Sequence, residues 1–456
     1  MSAAAGTAAG ALNLSPFGWD NVTIPENLAD ICACLPKWSQ LKTLRNPQLV
    51  GTRNVHFPHT YFHDVDGTPF MPAFEKGVLH NRGGGYATIY RGTRALYKPV
   101  GDRTGMVHLD RKQGFEEVCI KEVTTRADPD EPEEAFEEDI KAILYEAYLH
   151  ALLSKFLEST PLKTTVPVLH EVVATTISGL PPEDPSDIDS VWMTMEFIEG
   201  ATLEKHLQRT FLPSRHAEND KTLLDILLQL AHLLGLLQSS LRFNHRDMKI
   251  NNVYVRYHAA GDAWERGVPL SGAGAVRPLS PPAAAAAVAP VGPLWRTRSD
   301  LVLIDFGFSC IACGTGFVNP RATLLGAGSY FRPEHDCMKT GRDLAQFIYS
   351  LHCSFPLQSY ISAPLFAALH GAVTAVKDGR RVDMWRGFDM SGNPLPAAGP
   401  LPMALPYHKG VYNFLREGDA DVPGCAPAAL LATLAPFATA VIGSRPSSSA
   451  AAAGRL

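Results

Sequence analysis

Two polar motifs, each joined to a short run of β-branched and aromatic residues, constrain this chain more than its composition does. NVYV (252–255) and LVLID (301–305) have the make-up and length of buried strands. HRDMKINN (245–252) leads into the first run, and DFG, Asp305 to Gly307, closes the second. The first motif spaces a carboxylate, an ammonium and an amide as Asp247, Lys249 and Asn252. A carboxylate there can orient a hydroxyl nucleophile, an ammonium at +2 can offset charge on a moving phosphoryl group, and an amide oxygen at +5 can hold a metal. Asp305 supplies a second metal-binding carboxylate. Both metal-binding residues are expected at strand ends, on rigid support.

In this order the two motifs resemble those of the eukaryotic protein kinase family, and the resemblance extends upstream. VCIK (118–121) resembles the family's third-strand motif, which implies that Lys121 binds the α and β phosphates of ATP and that Cys119 packs on the adenine. NRGGGYATIY (81–90) resembles the glycine-rich loop. Gly84 and Gly85 would let backbone amides approach phosphate with no Cβ in the way, with Ala87 in the loop and Ile89 covering the adenine. The segment 135–157 carries Ile140, Ile143, Leu144, Ala147 and Leu152 at helical spacing, with Glu146 inside that apolar register. A carboxylate is costly to bury unpaired, and the resemblance pairs Glu146 with Lys121; Glu138, in an acidic run, is the alternative. VWMTMEFIEGATLEKHL (191–207) resembles the hinge, with Met195 as gatekeeper and Glu196, Phe197 and Ile198 along the adenine edge. Tyr254 falls where a supporting leucine is usual.

Downstream, GAGSYFRPE (326–334) resembles the end of the activation segment. Asp343, in GRDLAQF, resembles the helix aspartate that braces the catalytic loop. The same register puts Thr323 where many kinases carry an activating phosphate and makes Arg246 its receiving cation. Several positions depart from the family: Arg82 replaces the first loop glycine, Ala327 a threonine that contacts the catalytic residues, and His150 an aliphatic residue one turn after Glu146. Glu334 and Asp343 are closer than usual, and residues 353–443 match none of the family's last helices.

The Leu-rich run 223–238 is apolar on nearly every face and predicts a helix buried in a large domain; Asp225 and the run's brevity argue against a membrane span. The run 426–443 is uncharged and near spanning length, but two prolines and many alanines favour a packed terminal helix pair over a C-terminal anchor. Residues 1–15 lack the charged and apolar regions of a secretory signal and read as disordered, within an N-terminal extension 1–78 whose residues 16–78 are expected to fold onto the N-lobe. The Pro/Ala/Gly insert 258–300 reads as a disordered, dispensable loop, and 444–456 as a disordered tail. A formal charge of −5 gives no footprint for nucleic acid. The eight cysteines show no secreted framework, and Cys310 and Cys313 read as free thiols of a reducing compartment.

The expectation is therefore an α+β, bilobal protein kinase-like fold over 79–440. It has a β-rich N-lobe (79–197), a mainly helical C-lobe (198–440) and the active site in the cleft between them. The resemblance implies ATP and Mg²⁺ as cofactors, with Asp247 and Lys249 catalytic and Asn252 and Asp305 on the metal. It further implies Ser/Thr of a protein as acceptor and a cytoplasmic or nuclear location, without nucleic acid or membrane. Two other classes are weighed. A pseudokinase scaffold fits the departures but not the full set of metal and phosphate residues. A small-molecule kinase of the same fold usually lacks the lysine at +2.

Overall fold

The computed structural model describes residues 19, 22, 34, 36–37, 39, 41–44, 62–63, 69–70, 74–82, 87–95, 98–101, 107–110, 115–124, 133–176, 185–258, 267–270, 294–297, 299–313, 316–317, 339–377, 379–386, 394, 414–415 and 421–443. Gly84, Gly85 and Thr323 lie outside them, as do residues 1–15 and 444–456. The chain forms two compact units. One takes in Met1–Val22, Pro36–Leu144 and Leu169–Phe197, and the other Thr23–Leu35, Tyr145–Val168 and Ile198–Leu456. The fold class is α+β, with a β-rich first unit and a mainly helical second one.

The first unit is built on strands β1 (Lys42–Leu44), β2 (Phe62–His63), β3 (Pro69–Phe70), β4 (Phe74–Arg82) and β5 (Ala87–Ala95). It continues with β6 (Lys98–Gly101), β7 (Val107–Asp110), β8 (Phe115–Thr124), β9 (Leu169–Thr176) and β10 (Ile188–Glu196). Eight of these make one sheet in the order β3-β2-β1-β9-β10-β8-β5-β4, with β6 and β7 as a separate hairpin. Residues 42–44, 62–63 and 69–70 thus extend the same sheet as VCIK. β1 joins by pairing with β9 in parallel. In β8 the alternation sends Val118 and Ile120, both 0% exposed, to one face and Cys119 and Lys121 to the other.

Helix α1 (Glu133–Leu157) begins in the first unit and from Tyr145 onward belongs to the second. Residues 145–168 thus fall in the helical unit, within the span 79–197 that the sequence reads as the N-lobe. The predicted apolar register of α1 is buried throughout, from Ile140 to Leu157, and so is Glu146.

The second unit is organised by α3 (His216–Leu241), which follows α2 (Leu203–Thr210). Among the described residues α3 is the helix long and apolar enough to cross a membrane, but 72% of its most apolar window is buried inside the unit. Strands β11 (Gly200–Thr202), β12 (Val253–Arg256) and β15 (Asp300–Leu303) form a small antiparallel sheet. Between the last two lies the insert, and its ends are not disordered as the sequence led us to expect. β13 (Gly267–Pro269) and β14 (Leu294–Arg296) pair as a hairpin, and Val268, Leu270 and Trp295 are buried. Trp295 Nε1 donates to Asp225 Oδ1 at 2.9 Å and Ser299 Oγ to Asp225 Oδ2 at 2.8 Å. The carboxylate of an otherwise leucine-lined helix is therefore held by the insert.

β16 (Ala312–Cys313) and β17 (Gly316–Phe317) form a short hairpin, followed by α4 (Arg342–Ser354) and α5 (Ala363–Ala372). A further hairpin, β18 (Thr374–Lys377) and β19 (Arg380–Asp383), precedes α6 (Pro427–Gly443). The predicted terminal helix pair is one continuous helix with Pro436 inside it. α6 packs on α3, and its Leu430, Leu431, Leu434 and Ala438 are buried, so its apolar run serves the core. At the start of α4, Gly341 has φ +72, and a Cβ there would meet Val422 O at 2.0 Å. Only glycine satisfies both conditions.

Candidate active site

The β12–β15 register brings the two motifs to one end of the small sheet. Val253 pairs with Leu303, and Ile304 N donates to Asn252 O at 3.1 Å, so Asn252 and Asp305 leave adjacent strands at the same edge. Asn252 closes a 3₁₀ turn, Ile250–Asn252, just before β12; the predicted strand is displaced by one residue because this turn takes the asparagine.

Around Asp247 the side chains converge. Its Oδ2 accepts from Lys249 Nζ at 2.8 Å and from Asn252 Nδ2 at 2.7 Å, and Asn252 Nδ2 also reaches the Asp247 carbonyl at 2.9 Å. Asp247 is buried, while the Lys249 side chain is 30% exposed. A fixed carboxylate beside a partly exposed ammonium suits an acceptor that must enter from solvent.

Asp343, 0% exposed, holds this loop from α4. Its carboxylate accepts the N–H of His245 at 2.8 Å, the N–H of Arg246 at 2.9 Å and the Asn244 amide at 3.2 Å. Arg246 has φ +65 and Asp305 φ +64. A non-glycine residue in this region costs on the order of 1–3 kcal/mol, and surrounding hydrogen bonds must hold it there. The strain therefore falls on the residue beside Asp247 and on the candidate metal ligand itself. Arg246 is 2% exposed. Burial and the neighbouring Arg342 press its pKa down to about 9, with Tyr145 and Asp343 pulling the other way; it stays cationic at neutral pH.

Phe306, 1% exposed, lies against two imidazoles, His150 at 5.2 Å and His245 at 5.5 Å between ring centroids. The His150 ring is itself fixed at 2.7 Å from the Pro167 carbonyl. Asn244 went unnoticed in the sequence, although it ties this loop to three other stretches. Its position directly before the motif was the only available signal.

In the first unit the strand register gathers the residues matched to nucleotide binding. Ile89 lies opposite Lys121, and Ala87 opposite Val123. Cys119 lies opposite Met195. Directly opposed residues share a face, and so do residues two apart. Ala87, Ile89, Cys119, Lys121 and Met195 therefore lie on one face of the sheet, and Glu196, opposite Val118, on the other. Burial pushes the Cys119 thiol up to about 11, the Lys121 ammonium opposing. At the hinge the Arg91 guanidinium lies 4.5 Å from the centre of the Phe197 ring. Ile198 is buried at the start of the second unit, and Tyr254 is half-buried on β12. Glu146 belongs to the second unit and Lys121 to the first.

The described layout is α+β, with a β-rich unit and a mainly helical one. Among solved structures, the chain is similar to the autoinhibited serine kinase domain of the giant muscle protein titin, at 13% identity and TM-score 0.26, over 41% of this chain and 42% of that one. It is also similar to the BubR1 kinase domain, at 16% identity and TM-score 0.29, over 57% of this chain and 53% of that one. The chain thus spans about half the length of these structures or less, and at such scores the argument rests on the residues above. No protein-family model and no curated protein matches the chain.

Cys310 corrects a further expectation. It was read as a free thiol, and it is disulfide-bonded. Among the described cysteines, Cys34, Cys119, Cys353 and Cys425 are free.

Proposed function

We propose that the chain is a protein kinase that transfers the γ-phosphoryl group of ATP to a Ser or Thr hydroxyl of a protein. The observation that carries this reading is the Asp247 carboxylate, bonded at once to Lys249 and Asn252, with Asn252 and Asp305 at the same edge of the small sheet. Asp247 would orient the acceptor hydroxyl and take up its proton. Lys249 would offset charge on the transferred group. Because the Asn252 amide N–H is committed to Asp247, its Oδ1 is the atom left for a cation, and with the Asp305 carboxylate it would hold Mg²⁺. One or two protein oxygens suffice for Mg²⁺, whose remaining positions go to water and substrate phosphates. Bound there, the metal neutralises phosphate charge.

The residues themselves supply positioning and electrostatics, which are most of the catalysis in this chemistry. Lys121 would place the phosphates. Ala87, Ile89, Cys119, Met195, Glu196, Ile198 and Tyr254 would meet the base and ribose. Thr323, if phosphorylated, would pair with Arg246. Cytoplasmic or nuclear residence completes the proposal; the free thiols at Cys34, Cys119, Cys353 and Cys425 agree with a reducing compartment and the Cys310 disulfide does not.

Labelled Mg-ATP with generic protein acceptors, followed by phosphoamino-acid analysis, tests the proposal. Label on serine or threonine that disappears in Asp247→Asn is the expected result. Nucleotide binding without transfer under any condition would leave a pseudokinase, and label on a small molecule alone would move the chain to the other kinase class.

A further inference from the structure

From Arg342 to His352 every residue of α4 is buried, Asp343, Gln346 and Ser350 among them. Offsets of three and seven residues set these three side chains on one side of the helix. A buried polar group costs free energy unless it is hydrogen-bonded, and all three bond to the backbone of the HRD motif. Asp343 takes the N–H groups of His245 and Arg246. Gln346 Nε2 donates to the Arg246 C=O at 3.4 Å, and Ser350 Oγ accepts the Ile250 N–H at 3.3 Å. The sequence assigned no role to Gln346 or Ser350.

Arg246 holds φ +65, and such a residue persists only where its surroundings over-determine it. The peptide before its Cα is held on both sides, with the Arg246 N–H on Asp343 Oδ1 at 2.9 Å and the His245 C=O on the Ser309 hydroxyl at 3.2 Å. The peptide after it carries the Arg246 C=O, bonded to Gln346, and the N–H of Asp247. Asp343 and Gln346 thus fix the two peptides whose relative rotation defines this strained residue. On the far side of Asp247, the Ile250 N–H on Ser350 shares a peptide with the Lys249 C=O, which accepts the Asn252 N–H at 2.9 Å. Asp247, Met248 and Lys249 therefore span two peptides fastened to one helix.

We propose that Gln346 and Ser350 are positioning residues for phosphoryl transfer. Gln346 sets the peptide from which Asp247 departs, and Ser350 sets the one that follows Lys249. Together they fix, through the backbone, where the Asp247 carboxylate and the Lys249 ammonium meet at 2.8 Å. The effect on turnover rests on the kinase reading; the fastening of the loop does not. Gln346 Oε1 is buried with no hydrogen-bond partner among the described residues. Gln346→Met therefore removes an unpaired acceptor as it takes a donor from the Arg246 C=O, and the two effects on stability oppose each other. A loss of turnover in that variant reports position rather than fold.

The experiment compares the full chain with its Ser350→Ala and Gln346→Met variants. Residue-resolved hydrogen exchange reports the fastening, and steady-state transfer from labelled Mg-ATP to a generic protein acceptor reports kcat and KM. Ser350→Ala should speed exchange of the Ile250 amide about tenfold, with α3 unchanged. Its kcat should fall about tenfold while KM for ATP stays within about twofold of the parent's. Gln346→Met should lose kcat to a similar extent at a melting temperature within about 3 °C of the parent's. Ile250 exchange that ignores Ser350→Ala, or parental kcat per folded molecule in either variant, overturns the proposal. Should Ser350→Ala fail to fold, Gln346→Met decides alone by the same kcat criterion. If Ile250 exchange responds while the parent transfers no phosphate, the fastening stands and the kinase reading fails.

Discussion

Trp295→Phe removes one hydrogen bond from a carboxylate that α3 keeps only 5% exposed. The indole N–H donates to Asp225 Oδ1 at 2.9 Å, while Ser299 Oγ keeps its 2.8 Å bond to Oδ2. A hydrogen bond to a charged acceptor contributes roughly 1.5–3 kcal/mol, and leaving the acceptor short of it inside the protein costs about that much. Phenylalanine retains much of the apolar surface of a side chain that is 6% exposed, so the packing loss adds about 1 kcal/mol. The expected destabilisation is therefore about 3 kcal/mol. At roughly 2–4 °C per kcal/mol for a domain of this size, the melting transition should fall by about 6–12 °C. Urea unfolding followed by circular dichroism measures it without relying on the deleted fluorophore. A double-mutant cycle with Asp225→Ala should show a coupling of about 1.5 kcal/mol or more. Stability within about 0.5 kcal/mol of the parent, or an additive cycle, would refute the claim that the insert's hairpin neutralises the polar spot on α3. On the same reasoning, replacing residues 258–300 with a short turn should destabilise the second unit.

Asp247→Asn and Asp305→Asn should each reduce phosphoryl transfer by at least about a hundredfold while leaving the circular dichroism spectrum intact, since both are near-isosteric; undiminished transfer in either would contradict the assigned roles. Asp343→Ala should lower both transfer and melting temperature, because three donors that it accepts lose their partner inside the protein; the expected loss is about 3 kcal/mol or more by urea titration. His352 carries a pKa lowered to about 4, first by burial and then by His370, and its Nδ1 accepts the Leu357 N–H at 3.2 Å. The unfolded chain binds that proton near pH 6.5 and the folded one only near 4, so this contribution, about 3 kcal/mol, is present above pH 6.5 and is lost as pH falls toward 4. His352→Gln should flatten the stability profile in that window, and an unchanged profile would dismiss the assignment. Gly341→Ala should destabilise by more than about 3 kcal/mol, since strain at positive φ adds to a backbone clash.

The convergence of Asp247, Lys249 and Asn252 could be read directly from their spacing along the chain. Asp247, Lys249 and Asn252 fall within six consecutive residues, and a tight loop leaves them little choice but to meet. Asp343 was legible only through resemblance, since nothing in its own neighbourhood marks it as the acceptor for His245 and Arg246. Asn244 carried no signal, because its partners at positions 310, 339 and 343 are remote in sequence. The insert was misjudged for a related reason: low-complexity composition hid the fact that Val268 and Trp295, at its two ends, bury themselves against α3.

Local patterning determined the strands of the motifs, the long apolar helix and the α+β class, because apolar periodicity and strand propensity act within a few residues. Tertiary structure alone decided three things. It assigned residues 145–168 to the helical unit and residues 42–44 to the sheet, through a parallel pairing with β9 that no short-range pattern encodes. It supplied Asp225 with donors from the far end of a long insert. It also joined Cys310 to another cysteine, where spacing alone had argued for a free thiol. In the first two cases the deciding energy comes from satisfying or burying a group against a partner distant in the chain, and only the folded arrangement identifies that partner.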